Sequence, residues 1–154
     1  MAHIHEKIDF TASVFIVFKN KVLLHKHKKL GIWLQPGGHI ELDEDPNEAA
    51  LREAKEETGL DVQLVGKATV YDSSFGARDL IVPKFLNRHY FGSDRTHEHI
   101  DLTYFARATS DDARHEIAGK EMRWFTKEEL ERNEDGILEE IRVHALAALS
   151  ELSE

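Results

Sequence analysis

The chain has 154 residues, of which 41% are apolar, and it carries a formal net charge of −9 at pH 7. This length and composition predict one globular domain, residues 1–154, with its own core. The acidic balance argues against a surface for polymeric nucleic acid, although it leaves room for a phosphorylated small molecule, because bound metals invert the local charge. The absence of cysteine excludes disulfides and thiolate metal sites.

No apolar run approaches 18 residues, so the sequence predicts no membrane span. Residues 1–9 contain no apolar segment of the kind found in secretory signals. Together with the absence of cysteine, this favours a cytoplasmic location. The oligomeric state stays open, with a homodimer as one alternative.

Two apolar segments near the amino terminus predict a β-hairpin. Residues 11–18 (TASVFIVF) are apolar and β-branched, which is typical of a buried strand. Residues 19–21 form the predicted turn, and residues 22–25 (VLLH) form the partner strand. A short strand at residues 33–35 then leads to Gly37 and Gly38, where two glycines allow a backbone to approach a ligand closely.

A helix is predicted from Pro46 until Gly59. Asp45 is a favourable N-cap, Pro46 is a favourable first helical residue, and Glu48 completes a capping box. Gly59 can end the helix in a left-handed conformation. The arc expected to pack on a sheet comprises Ala50, Leu51, Ala54 and Thr58.

Three glutamates share the neighbouring arc of this helix. At about 100° per residue, Glu53, Glu56 and Glu57 project from one side. Their repulsion costs roughly 0.2–0.5 kcal/mol per pair on an exposed helix. A divalent cation would relieve it, because Mg²⁺ is commonly held by carboxylates together with substrate phosphates. A solvated acidic helix face is the alternative interpretation.

The second half of the chain predicts further strands and two helices. Residues 62–71 alternate apolar and polar side chains, which predicts a strand with one wet face, and residues 72–87 predict a long loop. The remaining predicted elements are strands at residues 88–91, 100–108 and 123–125, a helix from about residue 127, and an amphipathic helix at residues 137–149. This order predicts a mixed sheet with helices on its faces.

A cluster of polar residues enters the strand predicted at residues 100–108. At period two, His97, His99 and Asp101 share a face opposite Ile100 and Leu102. Two imidazoles and a carboxylate can bind a transition metal. They can equally line a substrate cleft or form the wet side of a sheet.

Two other sets of residues have alternative interpretations. Lys26 or Lys28 could reach a substrate phosphate, or they could belong to a solvated turn. Trp33, Phe75 and Phe85 could stack on a base, although aromatic residues are more often part of the core.

Residues 38–60 (GHIELDEDPNEAALREAKEETGL) resemble the Nudix box. That pattern is Gly, five residues, Glu, seven residues, Arg-Glu, an aliphatic residue, any residue, Glu-Glu, any residue, Gly and an aliphatic residue. It is matched by Gly38, Glu44, Arg52, Glu53, Glu56, Glu57, Gly59 and Leu60, with Ala54 in the first aliphatic position. The resemblance to the Nudix family implies an α/β/α sandwich and a hydrolase that cleaves a nucleoside diphosphate linked to another group.

The charge pattern and the resemblance together predict a metal site for Mg²⁺ or Mn²⁺. The expected ligands are Glu53, Glu56 and Glu57, and the resemblance adds the carbonyl oxygen of Gly37. Glu53 is the first choice for the general base that accepts the proton of the attacking water. Two glutamates outside the box, Glu116 and Glu121, are the loop alternatives for this base.

Other residues are predicted to support the chemistry or to contact the substrate. The predicted catalytic set is Glu53, Glu57 and Arg52, and Arg52 is expected to orient the glutamates by bidentate pairing. Glu44 is expected to fix its loop or to bind a water near the metal. The predicted substrate contacts are Gly38, His39, His97, His99 and Asp101.

The substrate is predicted by elimination. Residues 73–78 (SSFGAR) lack the proline and the tyrosine that the resemblance associates with ADP-ribose and dinucleoside polyphosphate substrates. Nucleoside triphosphates, including oxidised ones, are therefore the leading class. One rival is a nucleotide sensor without catalysis, which the intact glutamate set argues against. The other is isopentenyl diphosphate isomerase-like chemistry, which the absence of cysteine argues against.

Overall fold

The computed structural model of the chain describes residues 6–115 and 120–154 and contains a mixed sheet of eight strands. The strands are β1 (Ile8–Phe18), β2 (Lys21–Lys26), β3 (Trp33–Leu34), β4 (Gly37–His39), β5 (Val62–Leu64), β6 (Phe85–Tyr90), β7 (Glu98–Ala108) and β8 (Met122–Thr126). The helices are α1 (Pro46–Thr58), α2 (Lys127–Arg132) and α3 (Glu139–Leu152).

Strand β1 lies at the centre of this sheet. It pairs in parallel with β7, from Ile8 opposite Glu98 to Val17 opposite Arg107. The main path of the sheet runs β3-β2-β1-β7-β5, while β4 pairs with β1, β6 with β7 and β8 with β2. These other pairings in the described residues are antiparallel, so the sheet is mixed, as predicted.

Alternate residues of β1 enter two separate cores, which is why the strand is an almost continuous apolar run. Phe15 packs in one core with Leu130 of α2 and Ala145 of α3. Val14 packs in the other core with Ala54 of α1. Helices therefore cover both faces of the sheet, and the predicted α/β/α sandwich is confirmed.

Helix α1 begins and ends where the sequence predicts. The Asp45 side chain accepts from the backbone N–H of Glu48, and the Glu48 side chain accepts from the backbone N–H of Asp45. Gly59 ends the helix with a φ of 72°. Leu51 is 40% exposed, so its predicted packing on the sheet is wrong. The buried arc is rotated away from Leu51 and includes Glu53.

The strand predicted at residues 62–71 is wrong beyond Leu64, where β5 ends. Val62 to Leu64 pair with β7, but Val70 and Tyr71 are 79% and 50% exposed. The alternation in residues 65–71 is therefore not the signature of a half-buried strand. Val65 still packs against the core, whereas Val70 and Tyr71 lie on the surface.

The later elements lie close to their predicted positions. Strand β6 begins earlier than predicted, at Phe85, because Phe85 pairs with Thr103 and Asn87 with Asp101. Helix α3 begins at Glu139 and continues to Leu152. Within residues 6–115 and 120–154, no helix has both the length and the apolar character needed to cross a membrane.

Candidate active site

The glutamates of α1 lie beside the two glycines of β4. Glu53 is 8% exposed, whereas Glu57 is mostly buried and the side chain of Glu56 is half exposed. Residues four apart on a helix lie one turn apart on the same face, so the carboxyls of Glu53 and Glu57 are neighbours. Of these three glutamates, Glu53 and Glu57 have buried carboxyl groups and Glu56 has an exposed one.

The two glycines are required because β4 has no room for side chains. A Cβ on Gly37 would lie 2.6 Å from the Cβ of Ser13 and 2.7 Å from the carbonyl oxygen of Ala12. A Cβ on Gly38 would overlap the carboxylate of Glu53. The backbone of β4 is thus held against both β1 and the carboxyl groups of α1.

Burial raises the pKa of both inner carboxyl groups. Removal from water, followed by the charge of Glu53, raises the pKa of Glu57 to about 8. Burial likewise raises the pKa of Glu53, although the guanidinium of Arg52 opposes this shift. The pair therefore retains a proton near neutral pH unless a cation replaces it.

The surroundings of Glu57 fit a hard divalent cation. Its Oε2 atom is buried and has no hydrogen-bond partner among the described residues. It lies 3.1 Å from His25 Nε2, an approach that does not have hydrogen-bond geometry. Burial, with the charge of Lys120, lowers the pKa of His25 to about 4, so this ring is neutral at pH 7. Carboxylate oxygens are the ligands that Mg²⁺ prefers.

Arg52 joins the glutamates into one network. Its Nε and Nη2 atoms donate to the two carboxylate oxygens of Glu44, over 2.9 Å and 2.6 Å. Its Nη1 atom donates to Glu53 over 2.9 Å and to Glu56 over 3.2 Å. Nη2 also donates to the carbonyl oxygen of His39 over 3.1 Å. Arg52 therefore makes the bidentate contact expected of it and also ties α1 to β4.

Glu44 fixes the loop that precedes α1. One of its carboxylate oxygens accepts the backbone N–H of Glu41 over 2.9 Å, in addition to the contacts with Arg52. The hydrogen bond from Arg52 lowers the pKa of Glu44 and keeps it charged. The loop and the helix are thus held together by a charge-assisted pair.

A cavity of about 390 Å³ lies next to these carboxyl groups. Its lining includes Gly37, Gly38 and Glu57, together with Tyr90 and Phe91 of the β6 region. Cavities of roughly 300–1,000 Å³ are typical of small-molecule sites. Other lining residues come from β1, β7 and α3, and they include Thr11, Ser13, Thr103, Ile141 and His144.

Some of the predicted substrate contacts line the cavity, and one of them does not. His39, His99 and Asp101 line the cavity. His97 shares their face of the sheet but is not among the described lining residues. Its Nε2 atom lies 3.0 Å from the Oδ2 atom of Asp9.

Asp101 is held by three hydroxyl groups. Thr11 Oγ1, Ser13 Oγ and Thr103 Oγ1 donate to its carboxylate over 2.7, 2.5 and 2.8 Å. The side-chain amide of Gln35 donates to Ser13 Oγ over 3.0 Å. Asp101 is therefore fixed in the cavity wall with its charge stabilised by neutral donors.

The structure adds residues that sequence analysis missed. Thr11 and Ser13 are hydroxyl residues at alternate positions of an otherwise apolar strand, and that spacing was the available signal. Lys120 lines the cavity, whereas Lys28 is exposed and the Lys26 ammonium lies over the Trp33 ring, 5.9 Å from its centroid. Nothing in the local sequence distinguished Lys120 from other lysines.

Several predicted alternatives lie elsewhere. Glu116 lies outside the described residues, and Glu121 is exposed next to β8. Trp33 is in the core against Phe125, and Phe75 is 95% exposed. Phe85 stacks on the His144 ring with a centroid separation of 3.9 Å. The aromatic residues of the cavity wall are instead Tyr90 and Phe91.

Comparison with known proteins gives consistent matches. A family model described as NUDIX domain matches residues 8–146. The crystal structure of a NUDIX-family hydrolase from Clostridium perfringens is similar, with 42% identity and a TM-score of 0.82 over 94% of this chain and 98% of that chain.

Two curated relatives are similar over shorter stretches. A "Putative 8-oxo-dGTP diphosphatase" of Bacillus subtilis (strain 168) is 35% identical over 89 residues, which are 54% of this chain and 54% of that protein. A "Probable DHNTP pyrophosphohydrolase" of Lactococcus lactis subsp. cremoris (strain MG1363) is 27% identical over 113 residues, 71% of this chain and 60% of that protein. The chain thus spans little more than half the length of these two relatives.

Proposed function

The chain belongs to the NUDIX hydrolase family, and from that premise we propose that it hydrolyses a phosphoanhydride bond in a nucleotide bound in the cavity. The proposed substrate is a nucleoside triphosphate or a modified nucleotide, and the proposed cofactor is Mg²⁺ or Mn²⁺. The observation that carries this proposal is the buried pair Glu53 and Glu57, which lies beside a glycine strand and a cavity of about 390 Å³.

The proposed metal ligands are carboxylates together with one backbone carbonyl. Glu53, Glu56 and Glu57 would hold the cation, with the carbonyl oxygen of Gly37 as a further ligand. When bound, a divalent cation neutralises phosphate charge and lowers the pKa of a coordinated water. The buried, unpartnered Oε2 atom of Glu57 supports this assignment.

The proposed general base is Glu53. Its carboxylate is buried beside Gly38, and burial raises its pKa toward the range in which a base accepts a proton at neutral pH. It accepts the proton of the attacking water, and the contact with Arg52 holds the carboxylate in position.

Arg52 is proposed as a positioning residue. Among the described residues, its side chain contacts Glu41, Glu44, Glu53, Glu56 and the carbonyl oxygen of His39. It orients the carboxylates that meet the cation and links them to β4. Its bidentate contact with Glu44 makes this orientation directional.

The rest of the cavity is proposed to bind the nucleotide. The ammonium group of Lys120 supplies positive charge for the phosphate chain, and Phe91 and Tyr90 offer aromatic faces for the base. The anchored carboxylate of Asp101 accepts hydrogen bonds from sugar or base. The relatives named for 8-oxo-dGTP and DHNTP support a triphosphate substrate.

The test is a panel of nucleoside triphosphates and oxidised nucleotides, incubated with Mg²⁺ and analysed by product chromatography. The wild-type protein should release a nucleoside monophosphate and pyrophosphate from at least one of them. Glu53→Gln should lower kcat by at least about 10²-fold, as loss of a general base does. Glu48→Gln is a matched control, because Gln also completes a capping box on the same helix. Nucleotide binding without hydrolysis by the wild-type protein would instead indicate a sensor.

A further inference from the structure

A second group of potential metal ligands lies where β1, β4 and β7 meet. Asp9, His39 and His99 each place one ligand atom within 4.8 Å of the others. Asp9 of β1 is opposite His99 of β7, and His39 of β4 is opposite Thr11 of β1. The register of three strands therefore brings together residues that are far apart in sequence. None of the three belongs to the glutamate set of α1.

The group is enclosed by protein. Asp9 is 1% exposed and His99 is 7% exposed. The Oδ2 atom of Asp9 lies 3.2 Å from His39 Nε2 and 3.0 Å from His97 Nε2. A buried carboxylate is stabilised only by donors or by positive charge, and two of the groups that face this one are the imidazoles of His39 and His97.

The ring of His97 contacts the carboxylate of Asp9. Its Nε2 atom faces Asp9 Oδ2, and its Nδ1 atom lies 3.1 Å from the carbonyl oxygen of Glu6. The backbone carbonyl of Glu6 thus fixes the ring of His97, and this ring fixes the carboxylate of Asp9. Contacts of this kind orient the ligands of metal ions in proteins.

The ring of His99 is held in place by a neighbouring aromatic ring. Phe91 stacks on it, with a centroid separation of 4.8 Å and an interplanar angle of 20°. Burial and the nearby rings of His39 and His89 lower the pKa of His99 to about 4.

We propose that Asp9, His39 and His99 bind a divalent transition-metal ion of the Zn²⁺, Co²⁺ and Ni²⁺ class. Imidazole nitrogen favours these ions, whereas Mg²⁺ prefers sites made of oxygen ligands. A tetrahedral zinc ion with bonds of about 2.0–2.1 Å holds its ligand atoms about 3.3 Å apart. Asp9 Oδ2 and His39 Nε2 are already 3.2 Å apart, and the ligand atom of His99 lies within 4.8 Å of those of the other two residues.

The proposed site opens toward the cavity. His39 and His99 line the cavity, whereas Asp9 is not among its described lining residues. Three protein ligands leave a fourth position of a tetrahedral ion open. An oxygen atom of a ligand bound in the cavity would occupy it, so this ion would add a second, nitrogen-rich metal contact to the site.

This ligand set differs from the one that the sequence indicated. Period-two spacing grouped His97 and His99 with Asp101. In the structure Asp101 receives three hydroxyl donors, and His97 contacts Asp9. The carboxylate and the second imidazole come instead from β1 and β4.

The test uses Zn²⁺ as the probe on the wild-type protein in excess Mg²⁺, which would occupy the proposed carboxylate site. Titration should show one bound Zn²⁺, and histidine-ring ¹⁵N spectra should show metal-induced shifts of His39 and His99. Asp9→Asn and His99→Ala should each weaken Zn²⁺ binding at least about 10-fold in calorimetry. His89→Ala is the matched control and should bind Zn²⁺ as tightly as the wild-type protein. Its ring is 5.7 Å from that of His99 and is not one of the three ligands.

A second cluster, His25, Glu57 and His115, also places its ligand atoms within 4.8 Å of one another and serves as the discriminating comparison. The His25→Ala variant should retain the Zn²⁺-dependent shift of the His99 ring. The proposal is overturned if the wild-type protein binds no Zn²⁺ in excess Mg²⁺. It is equally overturned if binding is lost in His25→Ala and kept in His99→Ala. The wild-type spectra decide the question even if a variant fails to fold.

Discussion

The carboxyl groups of Glu53 and Glu57 lie one helical turn apart on α1, and burial raises the pKa of both. A proton on one of the two groups relieves the repulsion between their charges. A cation and that proton therefore compete for the same oxygen atoms. Because the pKa of Glu57 is raised to about 8, the competition takes place in the physiological pH range.

The first prediction is that Mg²⁺ binding releases a proton. The pKa of Glu57 is raised in the folded protein, so the group is protonated below about pH 8 and must lose its proton to bind a cation. Mg²⁺ affinity should rise as the pH increases from 6 toward about 8 and then level off. Calorimetry at pH 7 in two buffers of different ionisation enthalpy measures the proton release. Equal apparent enthalpies in the two buffers would contradict the prediction.

The second prediction is that alanine substitutions of the two glycines of β4 have different effects. Gly38→Ala would displace the Glu53 carboxylate, the far end of a flexible side chain, so Mg²⁺ affinity and turnover should fall while the fold survives. Gly37→Ala would contact Ser13 and the backbone of Ala12, which cannot move away easily, so it should lower the free energy of unfolding by about 1–3 kcal/mol. Denaturant unfolding and calorimetry on both variants measure the difference. Equal losses of stability would refute it.

The third prediction concerns the metal ligands. Glu56→Gln and Glu57→Gln should each weaken Mg²⁺ and Mn²⁺ binding in calorimetry, because each removes a charged oxygen ligand. Glu48→Gln is the matched control, since Glu48 caps the same helix away from the site. Unchanged binding in both ligand variants would exclude the assignment.

The fourth prediction is that Arg52→Lys lowers kcat by roughly 10-fold to 100-fold, as loss of an orienting contact does. Lysine keeps the charge but cannot make the bidentate contact with Glu44. Because Arg52 acts through the carboxylates, the apparent affinity for Mg²⁺ should fall in parallel with kcat. A loss of kcat with unaltered Mg²⁺ affinity would place Arg52 on the substrate instead.

The sequence predicted α1 well because its signals are local. The N-cap Asp45, the capping pair with Glu48 and the terminal Gly59 act within one or two turns. The arrangement of the glutamates followed from helical spacing. The burial of Glu53 did not, because it depends on how α1 is rotated against the sheet.

Residues that meet through strand register could not be predicted in the same way. Asp9 and His99 lie opposite each other only because β1 and β7 pair in parallel. In this register Ile8 is opposite Glu98, so each residue of β1 faces a residue 90 positions later in the sequence. His25 and Lys120 reach the glutamates for similar reasons. The strand predicted beyond Leu64 is wrong for the same reason. Alternation of apolar and polar residues indicates a strand only where a partner strand is present to pair with it.

In the proposed reaction, water attacks a phosphorus atom of the bound nucleotide and splits a phosphoanhydride. Hydrolysis in ¹⁸O-water, followed by mass spectrometry of the products, tests this claim directly. The carboxyl groups of α1 and the cation they would hold act on the phosphate chain, so solvent oxygen should appear in one phosphate-containing product. Products in which no phosphate carries the label would contradict the account.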